Sequence, residues 1–312
     1  MRRAALIYNP NSGGNRHWRP ADVDAVLQLL RGAGVEAEII PSPSSEMAEE
    51  MTRKAVADGC DTVFACGGDG TIHNIVQILA NTPVALAVLP MGTANALAHD
   101  LNLPMNLAGA ARAVLKAAPR RVAIGRLKHC DLCGNEKVSY FVIAAGIGVD
   151  AHLFYKLNPS IKQRLGMTAY YAKAWHMWFS YAMPRFRVEY IETGSNEAKQ
   201  ADATELLGVR IRNFGGVLRE LAPGASLDRN DLRMILCRTG SRWAYLSYVT
   251  RALLRGSWNI PGIDLAHTSQ LTCACANAGT PHKIYVEADG ELVGTLPAEM
   301  SIVPDALSIL AP

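Results

Sequence analysis

No stretch of this chain reaches the ~18 consecutive apolar residues that a membrane-crossing helix requires. The first apolar run, residues 4–8, is too short for the core of a secretory signal, so the chain is expected in the cytoplasm. A Gly-x4-Gly-Lys-Ser/Thr run is also missing, which excludes a P-loop nucleotide site. There is no internal repeat and no low-complexity linker. Cysteine is present but odd in number: seven, scattered along the chain, which argues for reduced thiols rather than a disulfide framework. Cys130/Cys133 and Cys273/Cys275 form two short pairs far apart in sequence, a weak pattern for zinc. A net charge of +3 is too small to argue for nucleic acid.

What is present is a large potential core, with 49% hydrophobic residues among 312. The first third alternates strand and helix signals. Strands are expected at 4–8, 36–40, 62–66 and 84–89, and helices at 21–30, 47–57, 71–79 and 94–101. Such alternation indicates a parallel sheet wrapped by helices. Beyond about residue 122, strand signals dominate, at 140–145, 186–191, 206–211, 232–237, 283–287 and 301–303, with helical segments around 160–182 and 242–256. That pattern suggests an antiparallel β domain. The expected domains are therefore 1–122 and 123–312, with the last strand allowed to return to the first domain.

Three strand-to-helix turns have the chemistry of a phosphate cradle: "NPNSGG" (9–14), "GGDGT" (67–71) and "PMGTAN" (90–95). Glycine lets a backbone approach a phosphate without a Cβ clash, and a helix starting at Thr71 or Thr93 would turn its positive end toward it. One such turn is ordinary punctuation; three in one domain could surround a polyphosphate. "AGIGVDA" (145–151) matches Gly-x-Gly-x-x-Ala, but no acid follows over 151–188 to hold a ribose, which argues against a dinucleotide fold there.

Two acid-free segments, 151–188 and 232–263, combine Lys and Arg with four of the five tryptophans. Rings at headgroup level and cations facing anionic phospholipid suit an interfacial helix, and Arg251 and Arg255 are the cations expected to face the lipid. An ordinary aromatic core face is the competing reading.

"GGDGT" after a strand, with "NPNSGG" upstream, "PMGTANALA" downstream and "VEADGELVGTLPAEMSIVPDALSIL" near the C-terminus, resembles the diacylglycerol kinase catalytic domain. That group includes bacterial lipid kinases, sphingosine kinases and ceramide kinases, with NAD kinases more distant. The resemblance implies an α/β nucleotide-binding domain, NAD kinase/diacylglycerol kinase-like, followed by a β-sandwich-like second domain, with the active site in the cleft between them. It further implies ATP as phosphoryl donor and Mg²⁺. Asn9 and Ser12 would lie beside the phosphates. Gly67, Gly68, Asp69, Gly70, Thr71, Ile72, His73, Gly92, Thr93 and Asn95 would hold the nucleotide. Glu291 would match the proton acceptor, and Asp69 the acid near magnesium and the acceptor hydroxyl. Which of Asp69, Asp289 and Glu291 acts as base stays open, and "DGE" alone also reads as a hairpin turn.

Many bacterial members carry an acid after the asparagine of the third loop, and an Asp-Gly pair that helps hold a structural magnesium. Here Ala96 and Arg229-Asn230 stand at those positions, leaving Asp228 and Asp231 as metal candidates. The resemblance thus implies a lipid kinase, cytoplasmic and peripheral on the inner membrane face, with diacylglycerol as first acceptor. A sphingoid base or ceramide-type lipid, or soluble NAD phosphorylation, is the alternative. The expected partner is a lipid at the membrane surface, not nucleic acid, and a homodimer is allowed for.

Overall fold

The computed structural model describes residues 1–12, 20–149, 151–152, 182–216, 220–254, 256, 259–276 and 283–312. The expected helix at 160–182 and Arg255 lie outside the described residues. Two compact units emerge. Unit 1 holds Met1–Ile124, Ile211–Arg219 and Val303–Pro312; unit 2 holds Gly125–Arg210 and Glu220–Ile302.

Unit 1 is a parallel sheet with helices on both faces. Its strands are β1 (Arg3–Tyr8), β2 (Glu36–Pro41), β3 (Thr62–Gly67) and β4 (Ala85–Pro90). The C-terminal end of a long last strand, β14 (Glu291–Leu310), adds in parallel beside β4. The order is β2-β1-β3-β4-β14. Every residue of β3 and β4 is buried, as a sheet covered on both faces demands. α1 (Pro20–Gly32) packs with α5 (Leu107–Lys116), and α2 (Ser45–Ala57) with α3 (Asp69–Leu79). This follows from right-handed crossovers, because β1→β2 runs one way along the sheet and β2→β3→β4 runs the other. The buried residues Ile72, Ile75, Val76 and Leu79 of α3 repeat at helical spacing. Ser44 caps α2 by accepting from Met47 N–H at 3.3 Å, and Asn106 caps α5 by accepting from Gly109 N–H at 2.7 Å.

Among the described residues, the strand pairings of unit 2 are antiparallel. β5 (Pro119–Cys130) pairs with β6 (Glu136–Phe141). β7 (Ala144–Gly148), β10 (Glu205–Val209), β11 (Leu232–Cys237), β12 (Ile263–Cys275) and β13 (Tyr285–Ala288) follow one another in space as β13-β7-β10-β11-β12. The first half of β14 pairs with both β13 and β12, joining the two ends of that run. β8 (Phe186–Glu192) and β9 (Ala198–Ala203) extend it from β12. Alternation sets the core: Phe186 and Val188 of β8 and Leu232, Met234 and Leu236 of β11 point into one cluster with Phe141.

The structure differs from the expected elements in instructive places. The strand expected over 140–145 is broken, because Val142 and Ile143 N–H bond to Asp289 instead of a neighbouring strand. "AGIG" (145–148) lies on β7, an antiparallel strand, and not in a βαβ turn. α6 (Arg242–Leu254) forms, yet Arg251 is only 8% exposed and stacks 4.4 Å from the Tyr248 ring centroid. Arg251 is therefore corrected from a lipid-facing cation to a buried one. Among the described residues no helix is long and apolar enough to cross a membrane.

Arg210 is fully buried and donates to the carbonyls of Leu227, Arg229 and Asp231, stapling the irregular segment before β11. Arg210→Leu leaves those acceptors without their donor, and chemical denaturation should show a loss of about 2–4 kcal/mol.

Candidate active site

Three strands of unit 1 end side by side. Tyr8 is level with Cys66, and Gly67 with Pro90, so the turns after β1, β3 and β4 leave the same edge of the sheet. That edge is the C-terminal one, and β1 and β3 flank the point where the strand order reverses, the position at which open α/β sheets bind ligands. Backbone bonds tie the turns together: Asn9 N–H donates to Cys66 O at 3.1 Å, and Met91 N–H to Gly67 O at 2.9 Å.

The second and third turns touch through glycine. A Cβ on Gly92 would stand 2.5 Å from Cα of Gly68 and 2.8 Å from Oδ1 of Asn95, and a Cβ on Gly67 would stand 2.2 Å from Oγ1 of Thr71. No side chain fits at Gly92 while the two backbones hold this approach. Asn95 then closes the third turn in the left-handed region (φ 51°), accepting from Gly92 N–H at 2.7 Å and donating to Gly92 O at 3.0 Å. Asn9 orders the first turn by accepting from Asn11 N–H at 2.9 Å, and its amide reaches Thr71 Oγ1 at a long 3.5 Å. Ser12 N–H donates to Asn9 O at 3.2 Å. The structure thus gathers Asn9, Ser12, Gly67, Gly68, Thr71, Gly92 and Asn95 along one edge of unit 1.

α3 starts at Asp69, two residues before the expected Thr71, with Gly68 as its N-cap. Asp69 therefore lies in the first turn, where a carboxylate complements the positive helix end. Asp69 and Gly70 are half-buried. Ile72 and His73 are buried in the body of the unit, and Ile72 N–H is donated to Gly68 O at 3.1 Å. Thr93 is exposed. α4 is only Ala96–Asp100, so the expected helix start at Thr93 gives way to the Asn95 turn. Burial pushes the Cys66 thiol up, which leaves it an inert neighbour of the site.

Sequence reasoning missed Asp100, whose Oδ1 accepts from Arg212 N–H at 2.7 Å and Asn213 N–H at 2.9 Å. These bonds seat residues 211–216 against α4, behind the third turn. No local signal links positions so far apart; the Gly215-Gly216 pair is the sole hint of a special backbone.

In unit 2, "DGE" is a hairpin turn and more. Asp289 and Gly290 both have positive φ (52° and 85°) between β13 and β14, the geometry of a tight two-residue turn. The buried Asp289 carboxylate accepts from three successive amides: Oδ1 from Val142 at 3.2 Å, Ile143 at 2.8 Å and Ala144 at 3.2 Å, with Oδ2 from Val142 at 3.1 Å. Its role is that of a clasp. Glu291, first residue of β14, is exposed.

Of the metal candidates Asp228 and Asp231, the structure ties the second to protein cations. Asp231 is buried and already engaged by Arg229 Nε at 2.7 Å, Arg229 Nη2 at 2.5 Å and His267 Nδ1 at 3.2 Å. The Arg229 guanidinium and His267 hold its carboxyl below the usual range against the opposing effect of burial. Asp228 is exposed; its N–H donates to Ser226 Oγ at 3.2 Å and its Oδ2 accepts from the same hydroxyl at 3.4 Å. Both oxygens of Asp231, by contrast, already face protein cations, which opposes a metal role for Asp231. Among the described residues, no three His, Cys, Asp or Glu side chains converge as a metal site.

Residues 3–127 match the family described as the diacylglycerol kinase catalytic domain, and residues 143–311 the family described as the YegS C-terminal NAD kinase beta sandwich-like domain. A diacylglycerol kinase of Bacillus subtilis strain 168 is 29% identical over 303 residues, 96% of this chain and 93% of that one. The crystal structure of a diacylglycerol kinase from Bacillus anthracis strain Sterne superposes with TM-score 0.70 at 17% identity, covering 99% and 97% of the two chains. Yeast NADH kinase complexed with NADH superposes with TM-score 0.52 at 11% identity, covering 100% and 84%. At those identities the two structures speak for the fold alone.

The clasp and the exposed acid should separate experimentally. Asp289→Ala strands three buried amides and is expected to cost about 3 kcal/mol or more in a urea titration. Glu291→Ala should leave the unfolding midpoint within the scatter of repeat measurements.

Proposed function

We propose that this chain, which belongs to the bacterial diacylglycerol kinase-like family, moves the γ-phosphoryl group of ATP to a lipid hydroxyl, with diacylglycerol as acceptor. The observation that carries the reading is the set of three aligned turns at the C-terminal edge of β1, β3 and β4, pressed together at Gly68 and Gly92. Backbone amides and the N-terminal end of the eleven-residue α3 suit a polyphosphate.

Each residue then has a role in keeping with its placement. Gly67, Gly68 and Gly92 let backbone replace side chain at the phosphates, while Asn9 and Asn95 hold the turns in shape. A lipid hydroxyl is a poor nucleophile, so a carboxylate must take its proton as the phosphoryl group moves. Glu291 is assigned that task because it is exposed, whereas Asp289 has its oxygens occupied by three amides. Asp69 poses an electrostatic question: a carboxylate among phosphate-binding amides repels a triphosphate unless a cation stands between them. One carboxylate together with phosphate oxygens is a donor set that suits Mg²⁺, so Asp69 would hold it. When bound, the ion supplies neutralisation of charge on the transferring group.

A peripheral membrane contact is assigned to α6, now by its outward face. Trp243 is 77% exposed and Leu254 70%, with Val249 and Leu253 also exposed. Arg242 at the start of α6 adds positive charge that would suit the anionic headgroups of the inner membrane face.

Incubation with γ-labelled ATP and a total lipid extract should label diacylglycerol as phosphatidic acid. Asp69→Ala should lower that turnover by about 10²-fold or more with an unchanged circular dichroism spectrum; turnover near that of the parent would remove the site assignment. A label on NAD and none on lipid would replace the acceptor.

The joint variant Trp243→Ser/Leu254→Ser should lose flotation with anionic phospholipid vesicles and keep activity on a detergent-dispersed acceptor. Unchanged flotation would leave α6 outside the contact.

A further inference from the structure

On the face of β11 turned away from the core, positive charge accumulates around a single carboxylate. Arg233 lies directly across from His267 of β12 in the strand register. Asp231, two residues before it on the same face, is held by Arg229 through two hydrogen bonds and by His267 through a third. Its capacity to neutralise another cation is therefore largely taken. Arg251 is buried over the Tyr248 ring. Burial pushes the Arg233 guanidinium below the usual arginine range; Tyr248 and Asp231 oppose this, and Arg229 and Arg251 are like charges nearby. Arg233 Nε is buried and makes no hydrogen bond among the described residues. Gly224, which has no side chain, backs the spot: a Cβ there would stand 3.2 Å from His267 Nε2 and 3.8 Å from Arg233 Nε.

A half-buried guanidinium in a crowd of like charge is costly unless an anion joins it. Guanidinium forks match phosphate oxygens in geometry, and a site built from them selects phosphate over chloride. We propose that Arg233, with Arg229 and Arg251 beside it, forms a binding site for a phosphate or phosphomonoester anion in unit 2. It shares no residue with the turns of unit 1 and does not depend on the kinase reading.

The test is thermal unfolding of the full chain without nucleotide, in inorganic phosphate against sodium chloride at equal ionic strength. Phosphate at ~tenfold its Kd should raise Tm by about 2 °C in a saturable way. The rise should persist in Asp69→Ala and vanish in Arg233→Met. Without phosphate, Arg233→Met should melt no lower than the parent, since it removes a repelled charge; a residue that merely packs would melt lower. Should that variant fail to fold, Arg233→Lys should need several-fold more phosphate for the same rise. Phosphatidylcholine vesicles with and without phosphatidic acid separate the sources. Capture by the phosphatidic acid vesicles that weakens in the Arg233 variant assigns a lipid headgroup, and a Tm rise with capture equal in parent and variant, as α6 alone would give, assigns a soluble phosphate. An equal phosphate rise in the Arg233 variants, a rise lost in Asp69→Ala, or no effect beyond chloride together with no Arg233-dependent capture would each overturn the proposal.

Discussion

Two α-carbons without side chains hold the C-terminal edge of the unit 1 sheet in place. Gly68 and Gly92 meet so closely that a Cβ on the latter would stand 2.5 Å from the former's Cα. Much else follows from that contact. The turn after β3 must be short, so α3 begins at once and Asp69 falls in its first turn. The turn after β4 must fold over itself, and Asn95 does this in the left-handed region with its side chain bonded to both polar groups of Gly92. These glycines work by letting backbone touch backbone, and a surface of amides next to a helix N-terminus is the chemical consequence.

Unit 2 solves a different problem, the presentation of one acid by another. A carboxylate clasped by three amides cannot also accept a proton from substrate without releasing them. Asp289 takes the structural burden, interrupting the strand at Val142 and Ile143 and fixing the hairpin that begins β14. Glu291 emerges two residues later at the surface. Burial divides the labour between two acids that look equivalent in "DGE". Glu287, also buried, completes the turn by accepting from Gly290 N–H at 2.7 Å.

The parallel sheet was legible because its strands are continuous apolar runs and its helices bury residues at regular spacing; β3 and α3 illustrate both. The glycine turns were legible as chemistry, though not the reason for each glycine, since the contact between Gly68 and Gly92 is between turns that are distant in sequence. The clasp was hidden for the same cause: nothing near 142 announces a partner at 289. β12 and β9 escaped because their alternation is diluted by polar residues on an exposed face. Asp231 looked open to a metal because its neighbour Arg229 reads as a departure from a pattern, whereas in space that arginine is the carboxylate's own counter-ion.

The acid-free segment around α6 shows why charge and aromaticity counted along a chain do not say which way a side chain faces. The tyrosines face inward and find partners there: Tyr248 donates to Leu221 O at 2.7 Å, and Tyr245 lies 2.8 Å from Thr204 Oγ1. Burial pushes the Tyr248 phenol up to about 12, so it remains a neutral donor. Arg251 tucks in with them, while Arg238 is paired with Asp264 at 2.7 Å. The helix thus turns hydroxyls and a guanidinium toward the protein and Trp243, Val249, Leu253 and Leu254 away from it. In water alone that arrangement is inverted, since burying a large apolar side chain is worth about 1.5–3 kcal/mol. An inverted helix is economical where its outer surroundings are themselves apolar, and that is the physical ground for the membrane contact proposed for α6.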